Sequence, residues 1–153
     1  FFFSGLMGAK VLVVTNQTTL APVVSDAGLA ITPNATLNDL PANLDVVFVP
    51  GGFQGTLAAM KHKPTLEFLT QREPAAKLVC SVCTGSFILA SAGLLKGRRA
   101  TSHWVARDTL ASHGVKPEQI PRLVEIAVND ICHQTNPRPC TAAALSGRSR
   151  CRR

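Results

Sequence analysis

The fold of this 153-residue chain is decided by the stretch Leu78-Val79-Cys80-Ser81-Val82-Cys83-Thr84-Gly85. Its first half is apolar and predicts a strand, and the small and apolar residues from 84 to 92 predict a helix that ends at Gly93. A small residue lies two positions before and two positions after Cys83, which leaves room for a tight, strained turn between strand and helix. The stretch therefore predicts an elbow with a cysteine at its tip.

Such an elbow would suit Cys83 to act as a nucleophile. The turn raises the sulfur to the carboxyl end of the sheet, where open α/β folds bind their ligands. A helix N-terminus favours thiolate over thiol, and the main-chain N–H of Thr84 would point toward an oxyanion formed beside the sulfur. Two other interpretations stay open. Cys80 and Cys83 have the C-x-x-C spacing of redox pairs, and free cysteines are often inert core residues.

The segments around the elbow indicate a sheet with helices. Strands are predicted at Val11–Thr15, Asp45–Val49, Leu78–Ser81 and Ala100–Thr101, with a short hairpin or bulged pair over Val23–Ile31. Continuous apolar strands are typical of sheets buried on both faces. Helices are predicted after Pro64 and over Val105–His113, the second ending at Gly114. This alternation predicts an α/β fold with a doubly wound, mostly parallel sheet and helices on both faces.

The basic charge of the chain is concentrated near its end. The formal net charge is +7, and five of the 16 Lys and Arg residues lie in residues 126–153 beside one acidic residue. No aromatic residues alternate with these arginines, so we expect no specific nucleic-acid binding. Sequence periodicity is lost from Asn129 onward. Residues 1–128 are therefore predicted to form one α/β domain, and residues 129–153 an irregular, disordered basic tail.

The composition predicts a cytoplasmic protein that does not associate with membranes. Its apolar runs are far shorter than the roughly 20 residues that span a bilayer. The five cysteines, at positions 80, 83, 132, 140 and 151, lack the dense and regular spacing of a secreted disulfide framework. A reducing compartment is the better interpretation.

Three segments carry a resemblance to a known family. The block Cys80–Trp104, Cys-Ser-Val-Cys-Thr-Gly-Ser-Phe-Ile-Leu-Ala-Ser-Ala-Gly-Leu-Leu-Lys-Gly-Arg-Arg-Ala-Thr-Ser-His-Trp, closely resembles the nucleophile region of the ThiJ/PfpI family in the class I glutamine amidotransferase-like superfamily. The strand end Val49-Pro50-Gly51-Gly52 and the turn Ser25-Asp26-Ala27-Gly28-Leu29 resemble the same family, and the likeness covers roughly residues 9–125. It implies a flavodoxin-like three-layer sandwich.

The resemblance also implies roles for residues at the elbow. Cys83 matches the catalytic nucleophile, and Thr84 matches the residue that contributes a backbone N–H and a hydroxyl beside the sulfur. Gly51 and Gly52 match the loop that faces the elbow and forms the oxyanion pocket. Glycine there permits close backbone approach and offers a second N–H to an anion.

Two further residues match the surroundings of the nucleophile. His103 matches a histidine near the cysteine in several relatives, with a hydrogen-bonded structural histidine as the alternative. Trp104 matches a wall of the pocket or a packing residue. We predict neither a metal site nor a cofactor.

The chain departs from the family pattern at both ends. The isocyanide hydratases take an Asp or Glu from the loop after the first strand, in a sequence like Asp-Leu-x-Gly-Pro, to position or transfer a proton, and residues 1–10 contain no counterpart. After Val124 a Cys/Pro/Arg tail replaces the expected glycine-rich turn and final helix, as a shifted reading frame or mispredicted gene end would. We therefore expect a fold that is incomplete at both ends, and impaired turnover.

Within the family, the isocyanide hydratases are one of the two branches that the chain resembles most. This branch implies a cysteine-nucleophile hydro-lyase that converts an isocyanide to an N-formamide. Its partners would be a small electrophilic substrate and a second copy of the chain, since relatives are commonly homodimers. Two alternatives stay open. One is the amidase-like ligand-sensing domain of AraC-type transcription regulators, and the other is an oxidative-stress protein in which Cys83 oxidises to a sulfenic or sulfinic acid.

Overall fold

The protein is described by a computed structural model over residues 8–25, 27–103 and 105–117. The strands in chain order are β1 Val14–Thr15, β2 Val23–Val24, β3 Ala30–Ile31, β4 Ala35–Thr36, β5 Val46–Val49, β6 Leu78–Ser81, β7 Arg99–Ala100 and β8 Lys116–Pro117. The α-helices are α1 Gln54–Ala59, α2 Lys63–Arg72 and α3 Gly85–Ser91, followed by a 3₁₀ helix at Arg107–His113. The predictions for Trp104, for the turn at Asp26 and for residues 118–153, which include the basic tail, lie outside the described residues.

Most strand pairs in the described residues are parallel. β5 pairs with β6 in parallel, with Val49 opposite Ser81, and β1–β4 and β7–β8 are parallel as well. β2 and β3 form the antiparallel pair predicted over residues 23–31. Helices α1 and α2 lie between β5 and β6 in the sequence, which is the long crossover that parallel neighbours need. The predicted α/β class is confirmed.

Two apolar clusters hold α3 in place. The first consists of Val49, Ala59, Leu69, Ile88 and Leu89, and the second consists of Phe87, Ala90, Leu110 and Val115. Residues 85–90 of α3 are all buried, which accounts for the uninterrupted small and apolar sequence of this helix. The helix that follows Cys83 is thereby fixed from two sides.

One face of β5 is covered by this core and the other is not. Val49 is 8% exposed and Val47 packs against the first cluster, whereas Val46 is 54% and Phe48 is 60% exposed. Successive side chains of a strand point to opposite faces. The expectation that this strand is buried on both faces is therefore wrong.

Several elements differ from the sequence predictions. The helix predicted over residues 105–113 is a 3₁₀ helix from Arg107, although it ends as predicted at Gly114, whose φ is +70°. The first strand is shorter than predicted, and β4, β8 and α1 were not predicted.

Among the described residues, no helix is long and apolar enough to cross a membrane.

Candidate active site

Cys83 lies in the turn between β6 and α3 with a left-handed backbone. Its φ is +55°, and it is the only non-glycine residue with a positive φ in the part of the chain that the structure describes. This conformation costs roughly 1–3 kcal/mol for a residue with a Cβ and persists only where the surrounding structure holds it. The strained elbow predicted from the sequence is present.

The carbonyl group of Cys83 receives contacts from two directions. Its oxygen accepts hydrogen bonds from Ser102 Oγ at 3.1 Å and from the backbone N–H of His103 at 3.3 Å. Ser86 Oγ, in the first turn of α3, lies 3.4 Å from the same oxygen. The segment after β7 and the start of α3 therefore fix the peptide that carries the strain.

The two cysteines near the elbow differ in accessibility. Cys83 is exposed, whereas Cys80 is half-buried in β6 and its Sγ lies 3.8 Å from the carbonyl oxygen of Val47. Both are free thiols. A small electrophile arriving from solvent would therefore meet the sulfur of Cys83 first.

The glycine pair after β5 passes directly against the elbow. A Cβ on Gly51 would lie 2.8 Å from both the Cβ of Cys83 and the backbone nitrogen of Thr84. A Cβ on Gly52 would meet nothing closer than Thr56 Oγ1, at 4.0 Å. The close backbone approach expected of this loop thus takes place at Gly51 and not at Gly52.

The hydroxyl of Thr84 joins the elbow to this glycine pair. Thr84 Oγ1 donates to the carbonyl oxygen of Gly52 at 2.6 Å and accepts from the N–H of Gly52 at 3.1 Å. Thr56 Oγ1, in α1, lies 3.1 Å from Thr84 Oγ1 and 3.2 Å from the Gly52 carbonyl oxygen. A hydroxyl has one proton and two acceptor lone pairs. The proton of the Thr84 hydroxyl is therefore used on the Gly52 carbonyl oxygen, and the proton of Thr56 is shared between that oxygen and Thr84 Oγ1.

This network changes two of the predicted roles. Because the Thr84 hydroxyl is bound to protein groups, Thr84 offers the site its backbone N–H and not its hydroxyl. The N–H of Gly52 is occupied by Thr84 Oγ1, so within this glycine pair the predicted second donor to an anion would be the N–H of Gly51. Thr56 was missed by sequence reasoning. Its position four residues after Gly52, at the start of a helix, is the spacing for hydroxyl bonding to the carbonyl of residue i−4.

His103 is joined to the elbow through its backbone. Its N–H donates to the carbonyl oxygen of Cys83, while its ring Nδ1 accepts a hydrogen bond from the N–H of Val105 at 3.3 Å. An accepting Nδ1 places the proton of the neutral imidazole on Nε2. These two bonds fit the alternative interpretation of His103 as a structural histidine. Trp104, the other predicted pocket residue, lies outside the described residues.

An exposed cysteine held in left-handed conformation between a parallel strand and a buried helix defines the class of α/β proteins with a nucleophile elbow. Within that class, the model of the DJ-1/PfpI family matches residues 3–129, and the chain belongs to this family. The family assignment and the flavodoxin-like fold class predicted from the sequence are both confirmed.

The similar proteins include an enzyme and a family member of known crystal structure. The chain is 46% identical over 98 residues to an isonitrile hydratase of Pseudomonas putida, which covers 64% of this chain and 42% of that protein. It is 52% identical to a ThiJ/PfpI family protein of Pseudomonas syringae of known crystal structure, with a TM-score of 0.72, covering 78% of this chain and 48% of that one. The chain thus spans less than half the length of these relatives.

A regulator is among the similar proteins too. The HTH-type transcriptional regulator CdhR of Pseudomonas aeruginosa is 36% identical over 88 residues, which is 57% of this chain and 25% of the regulator.

Proposed function

We propose that this protein hydrates isocyanides to N-formamides, with Cys83 as the nucleophile. The observation that carries the proposal is the exposed thiol of Cys83 on a left-handed turn, beside the backbone N–H of Thr84. The identity with an isonitrile hydratase supports the choice of substrate class. A preorganised turn of this kind holds the sulfur in place before the substrate arrives, which lowers the entropic part of the barrier.

The proposed reaction begins with attack of the Cys83 thiolate on the terminal carbon of the isocyanide. A C–S bond forms, and the same carbon takes a proton to give a thioimidate. Water then adds to that carbon, the C–S bond breaks, and the thiolate is regenerated while the nitrogen takes a proton. One water molecule is consumed, and it supplies the formyl oxygen and two hydrogens of the product.

The backbone N–H of Thr84 is the group of this chain best suited to the second half of the reaction. Negative charge develops beside the sulfur when water adds, and an N–H fixed at the start of a buried helix stabilises such charge without reorganisation. Among the residues that the structure describes we assign the acid to none, and we write the proton transfers with water as the donor.

The test is product formation from cyclohexyl isocyanide in water enriched in ¹⁸O, followed by mass spectrometry. The wild-type protein should yield N-cyclohexylformamide with one ¹⁸O in the formyl group. Cys83→Ala should reduce the rate to that of the protein-free solution, whereas Cys80→Ala, which removes the half-buried thiol of β6, should retain the wild-type rate. Equal rates for wild type and Cys83→Ala would refute the proposal.

A second candidate is ligand sensing without turnover, as in a domain of a transcription regulator. The identity with CdhR over 88 residues favours it. The same assay separates the two functions. A sensor would bind the isocyanide or another small ligand, seen as a saturable rise in melting temperature, and would form no formamide.

A further inference from the structure

We infer that Thr56 is a positioning residue of the elbow, which holds Thr84 and the Gly51–Gly52 segment in place beside Cys83. The inference rests on the proposed function, because it assigns Thr56 to the same site. Thr56 lies in α1 and is 5% exposed, so its hydroxyl is shielded from water. A buried hydroxyl needs partners within the protein. The partners of Thr56 are the Thr84 hydroxyl and the Gly52 carbonyl oxygen.

The three groups form a closed set of hydrogen bonds across the site. Gly52 belongs to the loop after β5, Thr84 to the turn after β6, and Thr56 to α1. Thr84 binds both the N–H and the carbonyl group of Gly52, and Thr56 contacts both Thr84 and Gly52. Thr56 therefore ties one helix to the two chain segments that meet at the elbow.

The set acts on Cys83 through Gly51. The Gly51 backbone lies so near Cys83 that a Cβ would not fit between them, and Gly51 is held by the bonds of its neighbour Gly52. When the Thr56 hydroxyl is lost, the Gly52 carbonyl oxygen loses a donor and Thr84 Oγ1 loses its contact with Thr56. The gap between Gly51 and Cys83 is then free to widen. A displacement of about 1 Å in a reacting group can cost roughly a hundredfold in rate.

The chain offers a matched control for a threonine-to-valine change. Thr70, in α2, donates through Oγ1 to the carbonyl oxygen of Leu66 at 2.9 Å, the same i−4 relation that joins Thr56 to Gly52. Thr70 is exposed and its bonds are to the carbonyl groups of Leu66 and Ala92, away from the elbow. Thr70→Val removes a hydroxyl of the same kind and leaves the three-group set intact.

The first readout is amide hydrogen exchange at Gly52, measured by NMR on the whole chain. The Gly52 N–H donates to Thr84 Oγ1, which Thr56 contacts. Thr56→Val should speed exchange of this N–H by about tenfold, since the loss of one hydrogen bond of the set is worth a factor of this order. Thr56→Ser keeps the hydroxyl and should restore the slow rate, and Thr70→Val should leave it within about twofold of wild type. Unchanged exchange at Gly52 in folded Thr56→Val would overturn the inference. The melting temperature shows whether the variant is folded, and if it is not, Thr56→Ala replaces it and the same criterion applies.

The second readout is the division of the effect between kcat and KM for isocyanide hydration. Thr56→Val should lower kcat by about 5- to 30-fold with little change in KM, because misplacement acts on the transition state. If exchange rises while kcat stays at the wild-type value, Thr56 is only structural and the inference is wrong. If the wild type forms no formamide, the proposed function fails, and the exchange experiment still decides whether Thr56 holds the glycine pair.

Discussion

The backbone of Gly51 passes so close to Cys83 that a Cβ on the glycine would lie 2.8 Å from the Cβ of the cysteine. Two chain segments that are more than 30 residues apart meet there, one leaving β5 and the other leaving β6. The strained turn of Cys83 is thus held in two ways. The backbone of Gly51 packs against it, and hydrogen bonds to its carbonyl oxygen fix the peptide. A nucleophile held in this way keeps its orientation while substrates come and go.

This contact predicts that alanine is destabilising at Gly51 and tolerated at Gly52. Gly51→Ala should lower the free energy of unfolding by about 1–3 kcal/mol, the usual cost of forcing a methyl group into filled space. It should also slow the alkylation of Cys83. Gly52→Ala introduces a methyl group with no neighbour closer than 4.0 Å and should change stability little. Urea denaturation measures the free energy of unfolding, and iodoacetamide labelling measures the alkylation rate of Cys83. Equal effects of the two substitutions would contradict the geometry.

Gly85, two residues after Cys83, gives a second comparison of glycine-to-alanine substitutions. A Cβ on Gly85 would collide with the carbonyl oxygen of Val49, whereas a Cβ on Gly55, in α1, would meet nothing within 4 Å. Gly85→Ala is therefore expected to destabilise the protein, and Gly55→Ala to stabilise it by about 0.5–1 kcal/mol through lower chain entropy and better helix propensity. Thermal unfolding of both variants tests this. A stabilising Gly85→Ala would show that α3 does not approach β5 as described.

Leu110 is the most deeply buried large side chain of the second cluster. It is 0% exposed and packs with Phe87 and Val115, which links the 3₁₀ helix to α3. Leu110→Ala should cost about 2–5 kcal/mol of unfolding free energy through lost burial and a remaining cavity. Val105→Ala removes a side chain that is 67% exposed and should cost less than about 0.5 kcal/mol. Similar costs would place Leu110 outside the core.

The hydrogen bonds of Asp39 predict that the stability of the fold decreases at low pH. The Thr36 hydroxyl, at 2.6 Å, and the Thr36 backbone N–H, at 3.1 Å, hold the pKa of the Asp39 carboxyl below its usual value. A depressed carboxyl pKa stabilises the folded state above the unfolded-state pKa of about 3.9, and the contribution is lost as the pH falls through the folded-state pKa. Asp39→Asn should therefore melt below wild type at pH 7, with a smaller difference at pH 3.

The matching variant for this prediction is Thr36→Val. It keeps the carboxylate and removes its closest donor, so the stability of Thr36→Val should depend less on pH below 4 than that of wild type. A difference between wild type and Asp39→Asn that grows as the pH falls would have the wrong sign for this account.

Local patterns in the sequence account for the elbow and most of the elements near it. The apolar run of β6, the small residues around Cys83 and the terminating Gly93 each act within a few residues, so the pattern of a strand, a turn and a helix was predictable. The antiparallel pair over residues 23–31 was predictable for the same reason.

The missed features depend on contacts that are distant in the sequence. β4 has only two residues and follows Pro33-Asn34, and its pairing with β1 is supported by a bond from the Val13 N–H to the Asn34 side chain at 2.8 Å. α1 has six residues and contains Gly55, so it lacks a clear helical pattern. The engagement of the Thr84 hydroxyl was missed because it bonds to Gly52, which lies 32 residues away in the sequence.

Cys83 is proposed to be the accessible nucleophile that takes the isocyanide. The most direct measurement is peptide-mapped alkylation of the native protein by iodoacetamide over time, with and without cyclohexyl isocyanide. Cys83 should be labelled at least about tenfold faster than the half-buried Cys80. The isocyanide should slow labelling of Cys83 and leave that of Cys80 unchanged. Equal labelling rates for the two thiols, or no protection of Cys83 by the isocyanide, would contradict it.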